Sequence, residues 1–179
     1  MKVAEKVVEY LKENNMSIST VESCTGGLVA ASIVSVPGAS KVFSKGYITY
    51  SEEAKEEMVG VKKETIEKYN VVSEEVAKEM ALGGYKVSGS DIVISVTGLA
   101  GPDGGTKEIP VGTVCIGVYC KNKENKENKE NKENKENKEN KEKGGVVTKK
   151  VLIEGNREKV RMKAVAECFR IVTEILGIK

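Results

Sequence analysis

A chain of 179 residues with 29 basic and 27 acidic side chains suits one domain. Its charge is too evenly balanced for the basic stripe of a nucleic-acid or membrane-surface binder. It has no histidine, and its four cysteines (Cys24, Cys115, Cys120, Cys168) form no Cys-x-x-Cys pair. Neither a structural zinc site nor a disulfide framework is expected, and any nucleophile needs a base other than imidazole.

In chain order, Val3, Val7, Val8 and Leu11 recur at helical spacing, which predicts an amphipathic helix over 2–14. Glu5, Lys6 and Glu9 interrupt any signal-peptide core, and no apolar run approaches the ~20 residues that span a bilayer. A soluble, reduced, cytoplasmic protein is expected. A short strand through Ile18 to Val21 leads into the turn Glu22-Ser23-Cys24-Thr25-Gly26-Gly27. A largely apolar helix follows, through Leu28, Val29, Ala31, Ile33 and Val34, and Pro37-Gly38 ends it. Tyr47-Ile48-Thr49-Tyr50 reads as a strand, with Ser51 as N-cap of the next helix and Glu52 and Glu53 favourably placed against its dipole. Ser73-Glu74-Glu75 repeats that signal ahead of Val76, Ala77, Met80 and Ala81.

Ile92 to Val96 is an apolar strand of the buried kind that runs into the glycine-rich loop Thr97–Thr106. Val111 to Tyr119 and Val146 to Ile153 predict two strands, and a closing helix covers about 157–176 with Val160, Ala164, Val165, Cys168, Ile171 and Val172 on one side. Helices alternating with strands, then a late hairpin, predict a layered α/β domain with a mixed sheet. Between the hairpin strands, Asn122–Glu142 repeats Asn-Lys-Glu without interruption. A period of three cannot hold one face of a 3.6-residue helix against a core, and nothing in the repeat is apolar. It reads as a solvated insertion (121–143) in a single domain spanning 1–179. Closing such a loop costs only about 2.7 kcal/mol before constants, and catalysis is expected to survive its deletion.

Three islands carry candidate chemistry. They are Ser23 to Gly27, Tyr50 to Lys55, and the loop Thr97–Thr106 continuing to Pro110-Val111-Gly112-Thr113. All follow predicted strands, where open α/β sheets gather their ligands. Each has an ordinary reading too: Ser23 as a helix cap, Lys55 as a solvated helix residue, Tyr50 as a half-buried strand aromatic. The loop is more telling, since four glycines in ten residues leave mainly backbone N–H groups to offer a phosphate or an oxyanion. It matches neither the Walker pattern nor the dinucleotide fingerprint. A Ser–Lys pair needs neutral Lys55 to take a proton from Ser23, yet only about one ordinary lysine in a thousand is neutral near pH 7.4. Burial must lower its pKa, and Glu52 and Glu53 oppose this if they face the same pocket. Cys24 is a rival nucleophile without an evident basic partner, and reads as structural.

Glu22–Gly27, Pro37-Gly38-Ala39-Ser40, Thr49-Tyr50-Ser51 with Ala54-Lys55, Val72-Ser73-Glu74-Glu75-Val76-Ala77, and Thr97–Thr106 with Pro110–Thr113 together resemble the C-terminal domain of the CinA (competence/damage-inducible) family. The match runs in order along nearly the whole chain except the repeat. Free-standing members include nicotinamide-nucleotide amidases, also called NMN deamidases. The resemblance implies a three-layer α/β/α sandwich with a mixed, mostly parallel sheet. It implies hydrolysis of the nicotinamide mononucleotide carboxamide to nicotinate mononucleotide and ammonia, without metal or cofactor. It places nucleophile and base on Ser23 and Lys55, with Tyr50 and Thr97 in support, and the phosphate-binding cation on Arg157 or Arg161.

With that family in view, the backbone around Cys24, Thr25, Gly26 and Gly27 is the expected oxyanion hole. Thr97, Gly98, Ala100, Gly101, Gly104, Gly105 and Thr106 are expected to hold ribose phosphate. Asn70-Val71 departs from the family's usual Gly-Ala. The pyrophosphatase-like domain of longer members has no counterpart here, so its activity is not expected. The expected partner is a small-molecule nucleotide, with no nucleic acid or membrane and with self-association to a homodimer, a common habit of such enzymes. A nucleotide-binding sensor without turnover is the alternative, and a structural role in DNA uptake is disfavoured by the charge balance.

Overall fold

The computed structural model describes residues 2–121 and 144–178, so the expectations for the Asn-Lys-Glu repeat lie outside the described residues. The chain forms α1 (Lys2–Glu13), β1 (Ile18–Glu22), α2 (Leu28–Val34), a 3-10 turn (Ala39–Lys41) and β2 (Phe43–Ile48). Then come α3 (Glu52–Val59), α4 (Lys63–Tyr69), α5 (Glu74–Ser88), β3 (Ile92–Gly98), β4 (Thr113–Cys120), β5 (Gly145–Leu152) and α6 (Arg157–Leu176). The strands make one sheet in the order β2-β1-β3-β4-β5. β1 pairs in parallel with β2 and β3, and β4 lies antiparallel between β3 and β5, so β4 alone opposes the common direction. Helices α1, α2 and α6 pack on one face, α3, α4 and α5 on the other. This is the three-layer α/β/α sandwich with a mixed sheet.

The apolar patterns explain the layers. Val7, Val8 and Leu11 of α1 and Val160, Ala164, Cys168 and Val172 of α6 bury against Ile18, Ile92, Ile94 and Val96 in one core. Val76, Met80 and Ala81 of α5 meet Val21 and Val93 in a second core on the opposite face. The α5 interior contains Gly83-Gly84, which costs roughly 1 kcal/mol per glycine relative to alanine. A Cβ on Gly83 would strike the Val59 carbonyl oxygen, and one on Gly84 would strike Val21 and Val93. The pair therefore lets α5 lie directly on the sheet and against the end of α3, the helix that carries Lys55.

Connections place the site. The β1-to-β2 crossover runs through α2 on one face, whereas β2 reaches β3 through α3, α4 and α5 on the other. Chain segments leaving neighbouring β1 and β2 thus part to opposite faces and open a crevice at the strand ends, the switch point where such sheets bind ligands.

Two elements differ from the sequence expectation. The strand predicted at Tyr47–Tyr50 runs instead over Phe43–Ile48, because it pairs alongside Ile18–Glu22 and its course follows β1. Ser44, Lys45 and Gly46 are exposed along this sheet edge, so no apolar alternation announces them. Helix α4 has one buried apolar residue, Ile66, too few for a periodic signal. It is fixed from outside by Glu79 of α5, whose carboxylate accepts from Lys62 N–H at 2.8 Å and Thr65 Oγ1 at 2.7 Å.

Candidate active site

The turn after β1 is built around a buried carboxylate. Helix α2 starts from Gly27, whose φ of +96° suits glycine, and no side-chain hydroxyl caps it. Glu22, fully buried, does that work: Oε2 accepts from Thr25 Oγ1 at 2.7 Å and from the N–H groups of Gly27 and Val29 at 3.0 Å, while Oε1 accepts from Ala30 N–H at 2.8 Å. Charge-assisted bonds to the orphan donors of a helix start offset the desolvation of that anion. From α6, Arg161 Nε donates to the Cys24 carbonyl at 3.0 Å and Nη2 to that of Thr25 at 2.8 Å. Ser23 stands at the head of this turn, its own N–H donating to Val96 O of β3 at 2.9 Å.

Lys55 arrives from the opposite face. Ser51 caps α3 by accepting from Ala54 N–H at 3.1 Å, and one turn later Lys55 points inward with no exposed surface. Its Nζ lies 2.8 Å from Thr49 O, 3.3 Å from Ser51 O and 3.2 Å from Ser23 Oγ. A neutral amine has two N–H donors and one lone pair. Two carbonyls and one hydroxyl match that set, and they equally match the three donors of an ammonium. Burial pulls the Lys55 pKa below its ordinary value, against weaker upward pulls from Cys24 and Glu52. Of the two glutamates that concerned the sequence reading, Glu52 lines the cleft with Lys55 and Glu53 does not. Burial pushes the Cys24 thiol up to about 11, which removes the thiolate that a rival nucleophile would need.

Ser23 and Lys55 form the floor of a cleft of about 380 Å³. Thr97 anchors one wall by donating from Oγ1 to Val71 O at 2.9 Å. Across the mouth, Arg157 Nη1 donates to Gly101 O at 2.8 Å and Nη2 to the Tyr50 hydroxyl at 3.1 Å. Among the described residues, no group of three or more Cys, Asp or Glu side chains could hold a metal ion.

A family model described as the CinA C-terminal domain matches residues 1–144. The chain belongs to the CinA C-terminal domain family. A CinA-like protein of Kosmotoga olearia is 47% identical over 160 residues, covering 89% of this chain and 34% of that protein. Competence/damage-inducible protein CihA of Agrobacterium tumefaciens has a solved structure with a TM-score of 0.83 at 29% identity, covering 97% of this chain and 93% of that one. Competence damage-inducible protein A (ComA) of Klebsiella pneumoniae superposes equally well, at 30% identity over 98% and 96% of the two chains. This CinA-family chain spans about a third of the length of the first curated relatives it matches, 34% in each case.

The CinA fold gathers some of the sequence-designated residues and separates others. Ser23, Cys24, Tyr50, Lys55, Thr97, Gly98, Ala100, Gly101 and Arg157 line the cleft. Tyr50 sits at the rim, 61% exposed and held by Arg157 rather than beside Lys55, because β2 ends at Ile48 and the chain has already turned. The oxyanion hole expected over Cys24–Gly27 narrows. Gly26 N–H is spent on Ser23 O at 3.0 Å and Gly27 N–H on Glu22, which leaves those of Cys24 and Thr25 without a partner among the described residues. Thr25, Gly26, Gly27, Gly104, Gly105 and Thr106 do not line the cleft. Thr106 closes a local turn with Ile109, and Gly105 packs tightly beside Val111. Arg161 lies behind the Ser23 turn, and of the two arginines only Arg157 lines the cleft.

Sequence reasoning missed Val71, Val72, Leu99 and Asp103 as cleft residues, and Glu22 as the brace of the turn. A signal for the first pair existed at Asn70. Its φ of +73° with ψ of 152° is a conformation nearly reserved for glycine. Its Oδ1 accepts from Val72 N–H at 3.0 Å and helps to hold the bend.

Proposed function

We propose that this chain is an amidohydrolase that converts nicotinamide mononucleotide to nicotinate mononucleotide and ammonia. The observation that carries this reading is the fully buried Lys55 Nζ at 3.2 Å from Ser23 Oγ, held by two backbone carbonyls. Ser23 Oγ attacks the carboxamide carbon as its proton passes to Lys55 Nζ. The oxyanion is received by the N–H of Cys24, the residue after the nucleophile, as in other strand-to-helix elbows. Collapse breaks the C–N bond, and Lys55 returns the proton to the leaving nitrogen, releasing ammonia and an acyl ester on Ser23. Water, deprotonated by Lys55, then cleaves that ester and restores the hydroxyl. Arg157 at the mouth, with the N–H groups of Ala100 and Gly101, which have no partner among the described residues, suits a phosphate.

Incubation with nicotinamide mononucleotide and measurement of released ammonia tests this reading. Release that Ser23→Ala and Lys55→Ala each abolish supports it; substrate binding with no release refutes it. The second reading, a nucleotide sensor, draws on the same atoms: Thr49 O, Ser51 O and Ser23 Oγ also satisfy all three donors of an ammonium. A charged Lys55 would bind ligand without activating Ser23, and tight binding without turnover is its signature.

A further inference from the structure

We infer that Arg161 is a positioning residue that aims the oxyanion-binding backbone of the Ser23 turn, and is not a phosphate ligand; the inference rests on the amidohydrolase reading. In a trans peptide, the C=O of one residue and the N–H of the next point in opposite directions. Arg161 holds the Cys24 carbonyl at 3.0 Å and the Thr25 carbonyl at 2.8 Å, approaching from α6 on one face of the sheet. The N–H of Thr25 is thereby turned away from the guanidinium. That N–H belongs to a fully buried residue and has no partner among the described residues. Leaving a buried donor unpaired costs about 1–3 kcal/mol, so such groups call for an explanation. The guanidinium supplies one, since it fixes this peptide by its carbonyl and leaves the N–H on the far side.

The second contact sets the Gly26 N–H in the same way, and it turns back to Ser23 O at 3.0 Å; that carbonyl shares a peptide with the Cys24 N–H, the oxyanion donor at the cleft, whose direction is fixed with it. The planar fork of a guanidinium reaches two successive carbonyls at once, which a lysine ammonium does not reproduce. Its charge also polarises both peptides and strengthens their N–H groups as donors. With Nε and Nη2 thus occupied, and with no part in lining the cleft, Arg161 is poorly placed for a substrate phosphate, whereas Arg157 one helical turn earlier lines the mouth. Glu22 braces the other side of the turn through four further bonds, so the fold does not rest on Arg161 alone.

The test assays the full chain, Arg161→Gln and Arg161→Lys for ammonia release from nicotinamide mononucleotide and from nicotinamide riboside, which has the same carboxamide and no phosphate. A thermal melt accompanies each variant. For Arg161→Gln the expected result is a fall in kcat of about 100-fold, the scale of a lost or misplaced oxyanion donor. KM should stay within about twofold, and the loss should be equal for both substrates. Arg161→Lys should fall between, and it carries the test if the glutamine variant does not fold. A rise in KM confined to the phosphate-bearing substrate, or an unchanged kcat in a folded variant, would overturn the inference. If the wild type releases no ammonia from either substrate, the functional reading fails first. The rate at which a fluorophosphonate labels Ser23 then decides separately: slower labelling of Arg161→Gln supports the positioning role, and equal labelling or none in the wild type ends it.

Discussion

The cleft of about 380 Å³ over Ser23 and a wider one of about 690 Å³ between β5 and α6 make a useful contrast. The wider cleft is walled by Lys149, Glu154, Lys163, Glu167 and Arg170 around an apolar floor of Val151, Ile153 and Ala166. Its charges pair with one another at the surface: Arg170 bonds Glu167 at 2.7 Å and also meets Glu174, all with substantial solvent contact. The Arg170 guanidinium holds the Glu167 carboxyl below its ordinary pKa, as an exposed ion pair does. The smaller cleft has instead a lysine side chain stripped of water, a hydroxyl within its reach and a backbone turn braced from two sides. Volume alone favours the wider cleft. A buried lysine against a hydroxyl costs stability, and such desolvated groups cluster at functional sites.

Substitutions sharpen the contrast, beginning with the largest effect. Lys55→Ala is expected to lower amide hydrolysis by about 10³-fold or more, the upper part of the range for a general base, in a turnover assay. Glu22→Ala should cost about 3 kcal/mol in urea unfolding, because it strands four donors that the carboxylate now satisfies, two of them on buried residues. Arg170→Ala, in the wider cleft, should change stability by less than about 1 kcal/mol and turnover not at all. A large loss of turnover there would erase the distinction between the two clefts.

Much of this contrast was legible in the sequence, but unevenly. The three islands announced themselves through glycines and small hydroxyls at strand ends, and the caps at Ser51 and Ser73 fixed where α3 and α5 begin. Lys55 was legible only as one helical turn past a cap; that it is buried depends on α5 pressing in over Gly83-Gly84. Glu22 was not legible, since a glutamate after a short strand reads as solvated, and its donors come from residues that fold back upon it. Arg157 and Arg161 stand four apart on one helix and present the same chemistry to a reader of sequence. Only the contacts separate an arginine at the mouth from one behind the turn. β2 and α4 were blurred because the bonds that define them belong to other segments, β1 and Glu79.

The pH dependence follows from Lys55 with a fixed sign. Its pKa lies below that of the unfolded chain, so between the two values the unfolded state binds more protons and stability rises with pH. Turnover, which needs the neutral amine, should climb through the folded pKa along the same direction. The charged groups acting on that amine are Cys24 on the turn and Glu52 on its own helix, and Tyr50, Asp103 and Arg157 line the same cleft.

The most direct measurement is an NMR titration of the protein with 13C-labelled lysine side chains, the Lys55 signal being assigned by its loss in Lys55→Ala. One lysine is expected to titrate below the ordinary value near 10.5, with its midpoint matching the rising limb of ammonia release. A Lys55 that titrates at or above the ordinary value would contradict the neutral amine on which Ser23 depends.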